Sequence, residues 1–158
     1  PISIELIISD NLKAKGLKFG KNFQISNKVF DYKNKFIAEK KIISEIKNKK
    51  IKLICLAGFM RILSKDFVEI FKGKILNIHP SLLPKYKGLD THQRAISNRE
   101  KYSGCSVHVV NSRLDSGKII LQKKVKISKN ETTKSLAKKI LIQEHILYPK
   151  AIKKLFNF

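Results

Sequence analysis

The stretch Leu76-Asn77-Ile78-His79-Pro80-Ser81-Leu82-Leu83-Pro84 holds the residues best suited to chemistry in this chain of 158 residues. Side chains alternate across a strand, so Asn77 and His79 share one face, two residues apart. Pro80 biases His79 toward extended geometry and ends the strand there. An amide and an imidazole thus meet at the carboxyl end of a strand, where open α/β sheets usually bind ligands. The same pair would also suit a strand end whose Asn and His simply cap the next loop. Asp115 is a second candidate, in Arg113-Leu114-Asp115-Ser116-Gly117. Asp-x-Gly is a common turn, but a carboxylate near an imidazole keeps the ring protonated near neutrality. An imidazolium plus an amide donor can stabilise the oxyanion of an acyl transfer.

The remaining candidates are weaker. His108, in Ser106-Val107-His108-Val109-Val110, reads as a half-buried strand histidine with a structural role. His92 opens a short helix and His145 follows Glu144 on the final one. No His-x-x-x-His or comparable metal spacing exists, so no metal is expected. Cys55 and Cys105 form no Cys-x-x-Cys pair, and Cys55, inside an apolar run, reads as core. Two isolated cysteines suggest no disulfide framework and a reducing cytoplasm.

The elements that must position these groups alternate between strand and helix. Residues 2–8 form an apolar run ending in turn and cap chemistry at Ser9-Asp10-Asn11. A short helix is expected near 11–19, stopped by Gly20, then a strand over 23–26. Lysines interleaved with Phe36, Ile37, Ile42, Ile43 and Ile46 predict an amphipathic helix over 34–48. Leu53 to Ala57 is continuously apolar, as in a strand buried on both faces. A helix over 60–71 leads to the strand at 74–78. Pro80, Pro84 and Gly88 make 79–88 a loop. A helix near 90–98, strands over 106–110 and 119–126, and a helix over 132–156 follow, with a kink predicted at Pro149. The pattern is α/β, with a predominantly parallel sheet and antiparallel pairing toward the C-terminal end.

Composition narrows the function classes. Thirty-four basic against twelve acidic residues give a net charge of +22, which raises nucleic-acid binding as a rival reading. The excess is almost all lysine spread over most segments, and only Arg61, Arg94, Arg99 and Arg113 are arginines. A lysine-, isoleucine- and asparagine-rich codon bias accounts for that better than a phosphate-reading patch, since nucleic-acid readers usually add arginine forks or interleaved aromatics. No apolar run approaches the roughly 18 residues of a membrane span, and no signal peptide is evident. The seven glycines contain no Gly-x-Gly-x-x-Gly or P-loop spacing, so a glycine-rich phosphate cradle is absent from this sequence.

Taken together, several motifs carry a resemblance. Leu56-Ala57-Gly58-Phe59-Met60-Arg61-Ile62-Leu63, then Leu76 to Gly88, resemble the glycinamide ribonucleotide formyltransferase signature. Ser106-Val107-His108, Leu114-Asp115-Ser116-Gly117 and Gln143-Glu144-His145 before Tyr148-Pro149 continue the match along nearly the whole chain. Methionyl-tRNA formyltransferases and formyl-folate hydrolases share the Asn-x-His and Asp-x-Gly elements. The Ala-Gly-Phe-Met-Arg-Ile-Leu run and Tyr-Lys-Gly-Leu-Asp-Thr-His favour the purine enzyme.

The resemblance implies a Rossmann-like three-layer fold, one formyltransferase domain over residues 1–158, and transfer of a formyl group from 10-formyltetrahydrofolate to glycinamide ribonucleotide. Asn77 and protonated His79 would stabilise the oxyanion, with Asp115 holding His79 and helping to move a proton. Leu56, Met60, Arg61, Ile62, Leu63, Val110, Asn111, Leu114 and Asp115 would line the folate site. Met60, Pro80 and Glu144 would meet the nucleotide, Glu144 at its ribose. The oligomeric state is open between monomer and dimer. Two departures stand out: Leu141 takes a position that is commonly polar in relatives, and the chain opens at Pro1 on what resembles the family's second strand. A preceding strand, Gly-x-Gly-Ser-Asn loop and helix, which would carry the phosphate site, is expected to be missing. The chain as it stands is therefore expected to be nearly inactive.

Overall fold

The computed structural model describes residues 2–157, which group into one unit up to Lys52 and a second from Leu53 onward. In the first, β1 (Leu6–Ser9) leads through α1 (Gly16–Asn22) to β2 (Ser26–Val29) and α2 (Lys35–Asn48). β1 and β2 pair in parallel, Leu6 opposite Ser26 and Ser9 opposite Val29. Gly20 does not stop α1, which runs through it. Instead, a Cβ there would fall 1.9 Å from Asn27 Oδ1. Glycine leaves room for the Asn27 side chain, whose Nδ2 donates to Leu17 O at 2.9 Å. The second strand accordingly starts at Ser26, later than the apolar Phe23 suggested, and Phe23 is exposed. α2 begins where expected, its N-terminus capped by Asn34 Oδ1 accepting from the Ile37 N–H. It buries Ala38, Ile42 and Ile46 at helical spacing.

The second unit contains β3 (Leu53–Leu56), α3 (Lys65–Ile70), β4 (Lys74–His79), α4 (Thr91–Ser97), β5 (Tyr102–Val109), β6 (Ile119–Lys126) and α5 (Thr133–Leu155). Its sheet order is β3-β4-β5-β6. β3 and β4 are parallel, whereas β4–β5 and β5–β6 are antiparallel. The α/β class, with parallel pairing first and antiparallel pairing toward the end, agrees with the sequence pattern.

Three local expectations are corrected. β3 is not buried on both faces: it lies at the end of its sheet, is half-buried, and leaves Cys55 exposed rather than in the core. The helix expected over 60–71 begins only at Lys65, because Ser64 Oγ accepts the Phe67 N–H at 3.0 Å and sets the first turn there. β5 starts four residues earlier than its apolar run, since Tyr102 to Cys105 pair along β6 as well.

α5 covers one face of this sheet. Leu136, Ile140, Leu147 and Ala151 meet Leu76, Cys105, Val107 and Val125 in the core. Burying each large aliphatic side chain there contributes about 1.5–3 kcal/mol. Thr132 and Ser135 close a capping box at the N-terminus of α5, and the helix continues through Pro149. Tyr148 Oη lies 2.9 Å from Leu56 O and 3.0 Å from Leu76 O, so α5 also grips the adjoining strands β3 and β4. Among the described residues no helix is long and apolar enough to cross a membrane.

Candidate active site

Strand alternation sorts β4 and β5 into two chemistries. Leu76 on β4 and Cys105 and Val107 on β5 belong to the apolar core beneath α5. Asn77, His79, Ser106 and His108 take the intervening positions and so face the other way. Antiparallel register sets Asn77 opposite His108 and His79 opposite Ser106. The β5–β6 register slips between Val107 and His108. Such irregularities re-aim side chains beside functional sites. Four polar residues thus share one sheet face at the carboxyl end of β4.

His79 is 6% exposed. Its Nε2 lies 2.8 Å from Tyr86 O and its Nδ1 lies 3.5 Å from Asp115 Oδ2. Both ring nitrogens face oxygen acceptors, and only an imidazolium can donate toward both. Asp115 arrives on the loop after β5 with a left-handed φ of 44°. Its Oδ2 accepts the Gly88 N–H at 2.9 Å, and its Oδ1 is 3.6 Å from His108 Nε2. Gly117 lets this loop fold back, because a Cβ there would sit 1.6 Å from Val109 O. Val109 N donates to Lys118 O and Val110 N to Ile75 O, which ties both ends of the loop to the sheet.

His108, read from the sequence as structural, is the cluster's unanticipated member. It is 2% exposed, with Nδ1 3.1 Å from Val109 O and Nε2 3.3 Å from Asn77 Nδ2. Burial pushes its pKa down, outweighing the opposite pull of the Val109 carbonyl and Asp115. No spacing rule marks this residue, since its partner is 31 positions away and only strand register joins them. His92 is also held below the ordinary histidine range, by burial first and then by the nearby His79 charge.

The loop after His79 is fastened at several points. Ser106 Oγ donates to Ser81 O at 2.6 Å and accepts the Leu83 N–H at 3.1 Å. Gln122 Nε2 reaches Ser106 Oγ at 2.8 Å and Leu83 O at 2.9 Å. Farther along, Tyr86 Oη donates to Glu100, Lys85 pairs with the same carboxylate, and Arg94 donates to Lys87 O. These contacts fix the Tyr86 carbonyl that holds His79.

The expected binding residues are placed less uniformly. Leu56 is half-buried at the end of β3. Met60, Arg61 and Ile62 are exposed in the loop before α3, and Leu63 is half-buried there. Val110 is half-buried, while Asn111 and Leu114 are exposed on the loop that carries Asp115. Pro80 is half-buried beside His79. Glu144 lies on α5, where burial pushes its carboxyl pKa up. Its charge in turn raises the pKa of Cys105, after burial. Among the described residues, no group of three His, Cys, Asp or Glu side chains could hold a metal ion.

Residues 2–152 match the family model described as formyl transferase. The chain is 46% identical over 129 residues to the trifunctional purine biosynthetic protein adenosine-3 of Chironomus tentans, covering 82% of this chain but 9% of that protein. It is 41% identical to the phosphoribosylglycinamide formyltransferase of Haemophilus influenzae, covering 97% of this chain and 74% of the relative. The crystal structure of phosphoribosylglycinamide formyltransferase from Anaplasma phagocytophilum superposes with a TM-score of 0.90 at 40% identity. That match covers 96% of this chain and 73% of the other.

Proposed function

The chain belongs to the formyl transferase family, and on that premise we propose that it transfers a formyl group to the amine of glycinamide ribonucleotide in purine biosynthesis. The formyl donor in this reading is 10-formyltetrahydrofolate. Support comes chiefly from one observation: Asn77 and His79 on one face of β4 and Asp115 from a separate loop converge at the end of that strand, with the His79 and Asp115 side chains buried. Met60, Ile62 and Leu114 expose apolar side chains and Asn111 an amide, the mixed chemistry that suits a flat heteroaromatic donor.

As the amine nitrogen bonds to the formyl carbon, negative charge grows on the formyl oxygen. In our reading, an Asn77 amide N–H and the His79 imidazolium donate to that oxygen, where preorganised donors are worth most. To do so, His79 Nε2 exchanges its bond to Tyr86 O for one to the oxyanion. Asp115 keeps the charge on His79 through Nδ1 and assists transfer of the amine proton toward the departing nitrogen. Pro80 flanks the acceptor, and Glu144 binds the ribose of the nucleotide. No metal takes part. The protein works in the cytoplasm.

The test uses the full-length protein that contains this sequence. Formyl transfer is measured with glycinamide ribonucleotide, initiator methionyl-tRNA or water as acceptor. Transfer to the ribonucleotide, with at most background rates for the other two, is the expected outcome. A preference for methionyl-tRNA or for hydrolysis would overturn the choice of acceptor. Nucleic-acid binding that survives 200 mM salt, together with no folate binding, would overturn the enzymatic reading.

A further inference from the structure

We propose that His108 is a positioning residue: as a neutral imidazole protonated on Nδ1, it fixes the Asn77 side-chain amide so that an N–H faces the reacting oxygen. The inference rests on the formyl-transfer reading for its consequence but not for its geometry. An asparagine amide can be turned over with little change of shape, exchanging an N–H donor for an oxygen acceptor. In the wrong orientation, Asn77 would present a partial negative charge to a developing oxyanion. Something must choose between the two orientations.

The groups around His108 make that choice. From its own strand, the Val109 carbonyl lies 3.1 Å from Nδ1 and can only accept, so Nδ1 carries the proton. A neutral ring then has a lone pair on Nε2, 3.3 Å from Asn77 on the facing strand β4. Only the Nδ2 end of Asn77 can donate to that lone pair. The rival partner is Asp115 Oδ1 from the following loop, 3.6 Å from Nε2 and beyond ordinary hydrogen-bond reach. Charging the ring to satisfy Asp115 is opposed by its burial, 2% exposed, and by the nearby charge of His79. One Nδ2 hydrogen is therefore spent on His108, and the second is left directed for the substrate.

Substitutions separate this role from simple packing. Glutamine places an amide oxygen about where Nε2 stands and can accept from Asn77. Asparagine is too short to reach and mimics only the Nδ1 side. His108→Gln should retain kcat within about threefold, whereas His108→Asn and His108→Leu should lose roughly 10- to 100-fold. That is less than the ~10²–10³ of deleting an oxyanion donor outright, because a released amide still samples the productive orientation. KM for both substrates should stay within about twofold, since the lost interaction is made in the transition state. In an Asn77→Ala background, His108→Asn should cost less than about twofold more. Wild-type kcat should also show an acid limb as His108 charges and can no longer accept, and His108→Gln should lack that limb.

The decisive measurement needs no substrate. In ¹⁵N-histidine-labelled protein near pH 7.5, the His108 ring should show Nδ1 protonated and Nε2 bare. The Asn77 side-chain amide resonances should shift in His108→Asn and return toward wild type in His108→Gln. An Nε2-protonated or charged His108 overturns the proposal, as does a His108→Asn enzyme with normal kcat or an undiminished effect without Asn77. If the wild-type protein transfers no formyl group, the proposed reaction fails and the ring and amide resonances alone decide this inference.

Discussion

Replacing Ser106 by alanine tests how the His79 loop is held. The Ser106 hydroxyl is fully buried and serves three partners: Ser81 O, Leu83 N and Gln122 Nε2. Alanine removes one oxygen atom and leaves Ser81 O and the Leu83 N–H without that partner. Gln122 keeps its bond to Leu83 O. A buried group deprived of its partner costs about 1–3 kcal/mol, so two such groups give roughly 2–4 kcal/mol after partial relaxation. With a urea m-value of ~2 kcal/mol per molar, the unfolding midpoint should fall by about 1–2 M. Ser81 is only two residues beyond His79, so kcat should also drop, by about tenfold, because small misplacement is costly to acid–base groups. The assay is urea unfolding followed by fluorescence of the tyrosines, with kcat measured at saturating substrates. Ser128→Ala, at an exposed position, serves as control and should change stability by less than ~0.5 kcal/mol. A Ser106→Ala protein as stable as this control would refute the reasoning that these bonds secure the loop.

Three further outcomes are expected. His79→Ala and Asp115→Asn should each lower kcat by about 10²–10⁴-fold in single-turnover assays while leaving folate affinity within about threefold; near-normal turnover in either would remove that residue from the mechanism. The Lys139 ammonium, then the Ser135 hydroxyl, hold the Glu131 pKa down to about 2. A depressed carboxylate contributes stability above its ordinary value of 4.5 that is lost as pH falls through about 2. Glu131→Gln should therefore be less stable at pH 7 by under ~1 kcal/mol, the usual worth of a solvent-screened pair, with the gap closing below pH 4.5 in chemical denaturation; a gap that widened in acid would contradict this. Burial, with a smaller contribution from Glu144, pushes the Cys105 thiol up to about 12, so iodoacetamide at pH 8 should modify it only after denaturation, as peptide mass analysis would register.

Much of this protein was legible in its sequence because the relevant signals are local. The long final helix follows from apolar residues recurring at 3.6-residue periodicity. Asn77 and His79 share a face because a strand alternates every two residues, and Pro80 marks where that strand stops. The class of chemistry follows from an amide, an imidazole and a carboxylate being present together. Tertiary structure decided what local rules could not reach. Gly20 looked like a stop signal, but the requirement was set by Asn27 passing against it. Met60 to Leu63 looked helical until Ser64 claimed the helix start. Cys55 looked buried because its neighbours are apolar, whereas burial of a strand depends on which strands flank it. His108 read only as a half-buried strand histidine: its place beside Asn77 is a matter of register between β4 and β5, set by hydrogen-bond pairing along the ladder. Periodicity states which way a side chain turns within its own element. Only the docking of one element on another states what it then meets.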